Sequence, residues 1–448
     1  MPEPAGPAEF GALTAPAART LPLVSASRRP YRALRRLALA ALTLTLLGCS
    51  AAAVAPSPSP PASSSVALES SRLNRVRATV DALLRAARAG DSADFDRLIS
   101  DRDPTFPDRA QLLYDNLSTL PFTTLQMRVD PTHFGLSEAR RRLLGPDAWV
   151  QRGIMVWRLP GDAAEVEHVV WLTFLEAAGD VKVAGTIDEP AGNVRGQQPS
   201  WWLGRFMGRE WNEVTVLAGL GQSLDRWVQL AAAAVATVRE ELPNGLGGSW
   251  NGHVVIEAPA TVRDFEAILS KPAGSYGSIA AVTHRAGMTG DAIRIVVNPR
   301  AAQLPEIDLQ SVIEHEMVHV ATGSPNSPAP TWAEEGLAEW VSMRVRPEQR
   351  SEGTDELLAR VRDEGAPRSF PSDQRFGVAA RDLEQAYAEA WLACRFIADQ
   401  YSESQLGLFY AELARGSTLD EASQSILHLS EAALIAEWRA YLVRLARY

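Results

Sequence analysis

The stretch SVIEHEMVHVATG, residues 311–323, places two histidines four positions apart with a glutamate directly after the first. On an α-helix, residues four apart lie one above the other, so His315 and His319 could both approach one metal ion. Glu316 lies at a small angle to them and could reach a metal-bound water. Apolar residues flank the histidines, and Gly323 predicts the end of the helix. The pattern predicts a buried helix with a metal site; two surface histidines on an ordinary amphipathic helix are the alternative.

A catalytic zinc site needs a third protein ligand, and the next helical pattern, TWAEEGLAEW (331–340), offers two adjacent glutamates. Thr331 and Glu334 have the spacing of a capping box, so we expect Glu334 to cap the second helix. A helix turns by about 100° per residue, so Glu335 points in a different direction. Glu335 is therefore free to bind metal.

The two motifs together resemble the gluzincin metallopeptidases, the group that contains thermolysin and the membrane alanyl aminopeptidases. The resemblance consists of H-E-x-x-H followed, after 15 intervening residues, by a glutamate within W-x-x-E-G-x-A-E-[WY]. It implies that His315, His319 and Glu335 bind one catalytic Zn²⁺ ion and that Glu316 is the general base. It also implies that Glu339 is an acidic partner of the first histidine; a solvated helix charge is the alternative.

Two further stretches fit the same resemblance, which covers about residues 220–448. QAYAEAWLACRF (385–396) is similar to the helix that brings a tyrosine to the substrate oxyanion, which makes Tyr387 the expected donor; core packing is the alternative. IRIVVN (293–298) is expected to be the edge strand that receives an extended peptide. The chain lacks the G-x-M-E-N stretch of the larger aminopeptidases, so we expect endopeptidase action on a peptide or protein substrate.

The N-terminus has the pattern of an export signal. A basic stretch (28–36) and an apolar run (37–47) precede Leu-Leu-Gly-Cys, which ends at Cys49 and resembles a bacterial lipobox. The resemblance implies a signal peptide over 1–48, a diacylated Cys49 and a lipid-anchored protein on the outer side of the cell membrane. An uncleaved anchor over 37–55 is the alternative. In both cases the bulk of the protein is expected outside the cytoplasm.

Composition divides the rest of the chain into four parts and predicts an α+β fold class. Residues 49–66 form a Pro/Ser/Ala linker, and residues 67–195 a helix-plus-sheet domain. This domain, including ARAGDSADFDRLI (87–99), resembles the nuclear transport factor 2-like fold. Residues 196–219 are expected to connect it to the peptidase domain, 220–448, which has a small sheet and a mainly helical C-terminal part.

Charge and cysteine content limit the partners. The net charge is −10, and the first 48 residues hold six Arg and two Glu, so their removal leaves −14. Such a surface repels nucleic acid and anionic lipid, so attachment to the membrane is expected through the lipid alone. Cys394 is expected to be a buried core residue without a disulfide. We expect a monomeric, extracytoplasmic zinc peptidase; a non-catalytic or narrowly specific zinc-containing surface binding protein is the alternative.

Overall fold

The computed structural model describes residues 62–177, 179–188, 198–346, 353–378 and 380–447. The predicted signal peptide, Cys49 and most of the predicted linker lie outside the described residues. The first described helix begins at Ala62, within the stretch expected to be linker. Among the described helices, none is both long enough and apolar enough to cross a membrane.

The first half of the chain combines helices with a four-stranded sheet. Its elements are α1 (Ala62–Ala89), α2 (Ser92–Arg97), α3 (Phe106–Thr119), β1 (Thr124–Gly135), α4 (Glu138–Leu144), β2 (Trp149–Arg158), β3 (Val166–Ala177) and β4 (Asp180–Gly185). The strands follow the order β1-β2-β3-β4, and every neighbouring pair is antiparallel. Helices and a sheet are both present in this part, as expected. Helix α1 packs across β1 and β4, where Val76 and Val80 are buried.

The second half opens with a five-stranded mixed sheet. Its first elements are α5 (Ser200–Leu203), β5 (Phe206–Trp211), β6 (Val214–Gly219), α6 (Leu224–Glu241), β7 (Val254–Ala258), α7 (Val262–Ile268), β8 (Ala281–Ala286), β9 (Ala292–Val297) and α8 (Glu306–Thr322). The sheet order is β5-β6-β7-β9-β8. Residues 196–219, expected to be a connection, thus contain two strands of this sheet. Every residue of β6 is buried, which explains why the stretch is a strand.

Both faces of this sheet are covered, because successive side chains of a strand point to opposite sides. Val216 and Ile256 belong to the core formed with α6 and α8. Their neighbours Leu217 and Val255 belong instead to the core of the first half, together with Trp157. The first half is therefore packed against the second sheet, and the two halves share buried surface.

From residue 331 onward, the regular elements in the described part of the chain are all helices. This part contains α9 (Thr331–Arg344), α10 (Thr354–Glu364), α11 (Leu383–Gln400), α12 (Glu403–Ala414), α13 (Leu419–Ala422) and α14 (Glu431–Leu445). The fold is mixed α+β with a helical C-terminal part, as the sequence predicted. Cys394 lies in α11, is buried and forms no disulfide, and burial raises the pKa of its thiol above the usual range.

Candidate metal centre

Helix α8 carries the H-E-x-x-H motif through the centre of the second half. It begins after Pro305 and ends at Gly323, whose φ of 67° is the left-handed conformation that glycine adopts readily. All residues from 312 to 321 are buried, because α6, α9 and the strands β8 and β9 surround the helix. The prediction of a buried helix is confirmed, and the surface-histidine alternative is wrong.

The two histidines meet Glu335 of the neighbouring helix α9. The Nε2 atoms of His315 and His319 are 3.2 Å apart. Glu335 Oε2 lies 3.1 Å from the Nε2 atom of His315 and 3.4 Å from that of His319. All three side chains are completely buried. Two imidazole nitrogens and a carboxylate oxygen thus converge on one point, and this group could hold a metal ion.

The spacing of these three atoms fits a small tetrahedral ion. Ligand atoms at about 2.0–2.1 Å from a tetrahedral zinc lie about 3.3–3.4 Å from each other. The three distances here, 3.1, 3.2 and 3.4 Å, are close to that edge length. A second oxygen of the ligand carboxylate, Glu335 Oε1, makes no hydrogen bond. The three donors are therefore of the types, and at the spacing, of a site in which a metal ion has three protein ligands and one open position.

The short distance between His319 and Glu335 also shifts the pKa values of both side chains. Burial disfavours a charged His319 ring, but the adjacent Glu335 carboxylate outweighs it and raises the pKa of His319 to about 9. Burial likewise disfavours the Glu335 carboxylate, yet the two histidines lower its pKa to about 2. The protein alone thus stabilises positive charge at the point where the three ligand atoms meet.

Glu334, the neighbour of Glu335, does not have the role that the sequence predicted. Helix α9 has Pro330 at its N-cap position and no side-chain cap, and Thr331 is already helical. The amide of Thr331 donates instead to Asp373 Oδ1, at 3.0 Å. The predicted capping box is wrong because a carboxylate distant in sequence supplies the cap. Glu334 is buried, and its charge acts on His319.

Close approach of α9 and α11 brings Tyr387 to the centre. A Cβ atom at Gly336 would lie 2.3 Å from the Ala390 carbonyl oxygen, so only glycine permits this helix contact. The ring of Tyr387 lies 6.2 Å from that of His315, between centroids. Burial, followed by the charge of Glu335, raises the pKa of Tyr387 well above its usual value, which keeps the hydroxyl protonated. The tyrosine predicted from sequence is thus beside the histidines.

The structure shows no hydrogen bond to the buried Nδ1 atom of the first histidine, His315, where an acidic partner would bind. Glu339 is buried rather than solvated, and its charge acts on Tyr387. The solvated-charge alternative is therefore wrong, while the role implied by the resemblance remains a prediction.

Two site residues were missed by the sequence reasoning. Ser324, in the 3₁₀ turn Ser324–Asn326, is completely buried with its hydroxyl 3.0 Å from His319 Nδ1. Thr283 of β8 donates its hydroxyl hydrogen to Glu316 Oε2, at 2.6 Å. No motif marks either residue. The strand of Thr283 was nevertheless detectable, because two short apolar runs flank a glycine-containing turn there, a pattern typical of a β-hairpin.

The edge strand beside the centre also differs from the prediction. Strand β9, which contains the IRIVVN stretch, pairs with β7 on one side and β8 on the other, so it is interior. Strand β8 forms the edge. The prediction failed because the turn between β8 and β9 was not recognised, so no strand was expected outside β9.

Glu316 completes the centre, and its two carboxylate oxygens have different surroundings. Oε2 accepts the hydrogen bond from Thr283, whereas Oε1 is buried without a hydrogen bond. Burial raises the pKa of this carboxyl group, with the neighbouring histidines acting in the opposite direction. A carboxylate with a raised pKa is a better proton acceptor at neutral pH.

No protein-family model matches the chain, and comparison with curated proteins gives no match.

Proposed function

We propose that this protein is a zinc-dependent peptidase of gluzincin type, in which His315, His319 and Glu335 hold the ion. The observation that carries the proposal is the triangle of two imidazole nitrogens and one carboxylate oxygen at tetrahedral spacing. Two buried carboxylates, Glu335 and Glu316, also act on His319, and each has one oxygen without a hydrogen bond. A divalent cation would balance this buried negative charge.

The proposed chemistry assigns one task to each remaining side chain. Bound zinc would lower the pKa of its water and polarise the scissile carbonyl. Oε1 of Glu316 takes the proton of the attacking water and passes it to the leaving amine. The hydroxyl of Tyr387, kept protonated by its buried surroundings, donates a hydrogen bond to the developing oxyanion. Strand β8, at the sheet edge beside α8, offers backbone groups to an extended peptide.

The decisive variant is Glu316→Gln, because glutamine keeps the shape of the side chain and cannot act as a base. We expect zinc content to be unchanged and peptide hydrolysis to fall by about 10²–10⁴-fold. Zinc is measured by elemental analysis, and cleavage by an unbiased proteomic search with the full-length protein. Glu314→Gln is the matched control, since Glu314 is a buried carboxylate on the same helix that pairs with Arg346. Equal turnover in Glu316→Gln and the native protein would contradict the mechanism.

A second candidate function follows from the enclosure of the centre. The three ligands and Glu316 are all without solvent exposure, which favours a surface binding protein that keeps zinc without turnover, or a peptidase that opens for one partner. The same proteomic search separates these functions. A single cleaved partner indicates narrow specificity, and no cleavage difference between the native protein and Glu316→Gln indicates a binding protein.

We further propose that the chain is exported and anchored through a lipid on Cys49, as the lipobox resemblance implies. The acidic net charge supports attachment by acyl chains rather than by basic residues. Cys49→Ala should move the protein from the membrane fraction to the soluble fraction. A variant that still sediments with membranes and resists carbonate extraction would indicate an uncleaved N-terminal anchor.

A further inference from the structure

The hydroxyl of Thr283 makes two hydrogen bonds, and both go to the same residue, Glu316. The hydroxyl oxygen lies 2.6 Å from Glu316 Oε2 and 3.0 Å from the carbonyl oxygen of Glu316. Thr283 and Glu316 are both without solvent exposure, so water does not compete for these contacts. A hydroxyl carries one hydrogen, which it shares between the two acceptors. The contact therefore links the Glu316 carboxylate to a neighbouring strand and restricts its rotation.

The contact makes the two oxygens of the carboxylate inequivalent. Oε2 is occupied by the hydroxyl of Thr283, while Oε1 is buried and makes no hydrogen bond. A buried oxygen without a hydrogen bond is costly unless a partner reaches it at some stage of function. Oε1 is thus the atom left for a proton from another molecule.

Strand β8, which carries Thr283, is itself fixed from its opposite face. Thr283 points towards α8, so the next residue, His284, points towards the first half of the chain. In the register of β8 and β9, His284 stands opposite Arg294. Arg294 donates two hydrogen bonds to Asp162 of the first half, at 2.9 and 2.6 Å, and one to Glu257 at 2.6 Å. These buried ion pairs hold the hairpin that presents Thr283.

We propose that Thr283 is a positioning residue for Glu316: it holds Oε2 so that Oε1 faces the attacking water. The inference rests on the proposed peptidase function. In the proton transfer, the water O–H bond breaks as an Oε1–H bond forms, and the proton then passes to the nitrogen of the leaving amine. Thr283 keeps its own proton throughout. Its contribution is the orientation of the acceptor, which affects turnover more than substrate binding.

The test compares two threonines in similar surroundings. Thr283→Val removes the hydroxyl at nearly constant shape, and Thr283→Ser keeps it. Thr215→Val is the matched control, because Thr215 is also buried but lies on β6 and donates to the Pro160 carbonyl oxygen at 2.7 Å. Assayed on a pool of quenched-fluorescence peptides, Thr283→Val should lower kcat about 10–100-fold with KM and zinc content unchanged. Thr283→Ser should restore kcat, and Thr215→Val should leave it unchanged.

A second readout does not depend on turnover. Acetohydroxamate binds zinc while sharing a proton with a nearby base, so its affinity for the zinc-loaded protein reports the orientation of Glu316. Calorimetry should show about tenfold weaker binding in Thr283→Val and native affinity in Thr215→Val. If Thr283→Val does not fold, as judged by urea unfolding, Thr283→Ala serves in its place, since it also lacks the hydroxyl.

The outcomes separate the inference from the function on which it rests. Native kcat and native hydroxamate affinity in Thr283→Val would overturn the positioning role and leave the peptidase function intact. Equal losses in Thr283→Val and Thr215→Val would also overturn it, because the effect would then be one of general stability. If the native protein cleaves neither these peptides nor any protein in the proteomic search while the hydroxamate difference persists, the peptidase function fails and the positioning of Glu316 stands.

Discussion

The metal centre and the Arg294 cluster are both buried groups of charged side chains, but they satisfy their charges in opposite ways. In the Arg294 cluster, a guanidinium donates to the carboxylates of Asp162 and Glu257 and lies 4.1 Å from the Trp157 ring. The cluster contains its own cation. In the metal centre, two imidazoles and a carboxylate point at each other, and Oε1 atoms remain without hydrogen bonds.

The difference is that one cluster pairs its charges within the protein, whereas the other could hold a metal ion. Buried polar atoms are normally hydrogen-bonded, so a group of buried acceptors without donors needs a further partner. In the Arg294 cluster the guanidinium donates to both carboxylates, and the pair with Asp162 joins the two halves of the chain. The metal centre is incomplete as a set of protein atoms, and a cation at the meeting point of His315, His319 and Glu335 would complete it. Each of the following variants tests this contrast.

The largest effect is expected at Glu335. Glu335→Ala leaves two protein ligands, so zinc affinity should fall by more than about a hundredfold, beyond the range for residues that only support a ligand. Glu334→Ala is the matched control, because Glu334 is an equally buried neighbour whose side chain is not among the converging ligand atoms. Zinc occupancy after dialysis against a weak chelator measures both. Metal loss from the Glu334 variant alone would reverse the assignment.

The second-largest effect is expected from a change at Asp162, which should lower the stability of the protein without changing its zinc content. Asp162→Asn keeps the shape of the side chain but weakens the compensation of the buried Arg294 charge, which should cost about 3 kcal/mol of unfolding free energy. The control is Arg205→Ala, which breaks an exposed ion pair with Asp115 between the same two halves and should cost about 0–1 kcal/mol. Urea unfolding and zinc analysis are the measurements. Equal losses of unfolding free energy in the two variants would show that the buried Arg294 ion pairs contribute no more to stability than an exposed ion pair.

The contrast between the clusters also shows what the sequence can predict. The histidine spacing, the glycine that ends α8 and the second glutamate-rich helix are local patterns, and they placed His315, His319 and Glu335 correctly around one point. The α+β class followed from helices and strands with clear periodicity. Tyr387 was located through the resemblance of its helix to a known pattern.

The features that the sequence did not predict depend on contacts between residues distant in sequence. Asp373 caps α9 from another segment, so the local capping-box pattern around Thr331 was misleading. Strand β8 was not expected because the turn between β8 and β9 was not recognised, and Thr283 was missed with it. Arg294 and Asp162 are 132 residues apart, and no sequence pattern connects such a pair. Tertiary packing decided each of these features.

The smallest effect concerns acid stability and arises from His168 and His284, two buried histidines near Arg294. Burial, followed by the charge of Arg294, lowers the pKa of His168 to about 3, and the same causes lower that of His284 to about 3. Both rings are therefore neutral in the folded protein, whereas in the unfolded chain they take up protons near pH 6.5. The unfolded state binds more protons below that pH, so stability is complete above pH 6.5 and decreases as the pH falls towards 3.

Between pH 7 and 5.5 this loss should amount to about 1 kcal/mol for each histidine, because most carboxylates remain ionised over that range. The measurement is urea unfolding of metal-free protein at both pH values, since acid would otherwise also release bound metal. The double variant His168→Asn with His284→Phe removes both titrating rings, and the introduced amide would still offer an acceptor to the Trp157 indole, which in the native protein donates to His168 Nδ1. Its stability should change less between pH 7 and 5.5 than that of the native protein. An equal change in both proteins would mean that these histidines are not the acid-sensitive part of the junction between the halves.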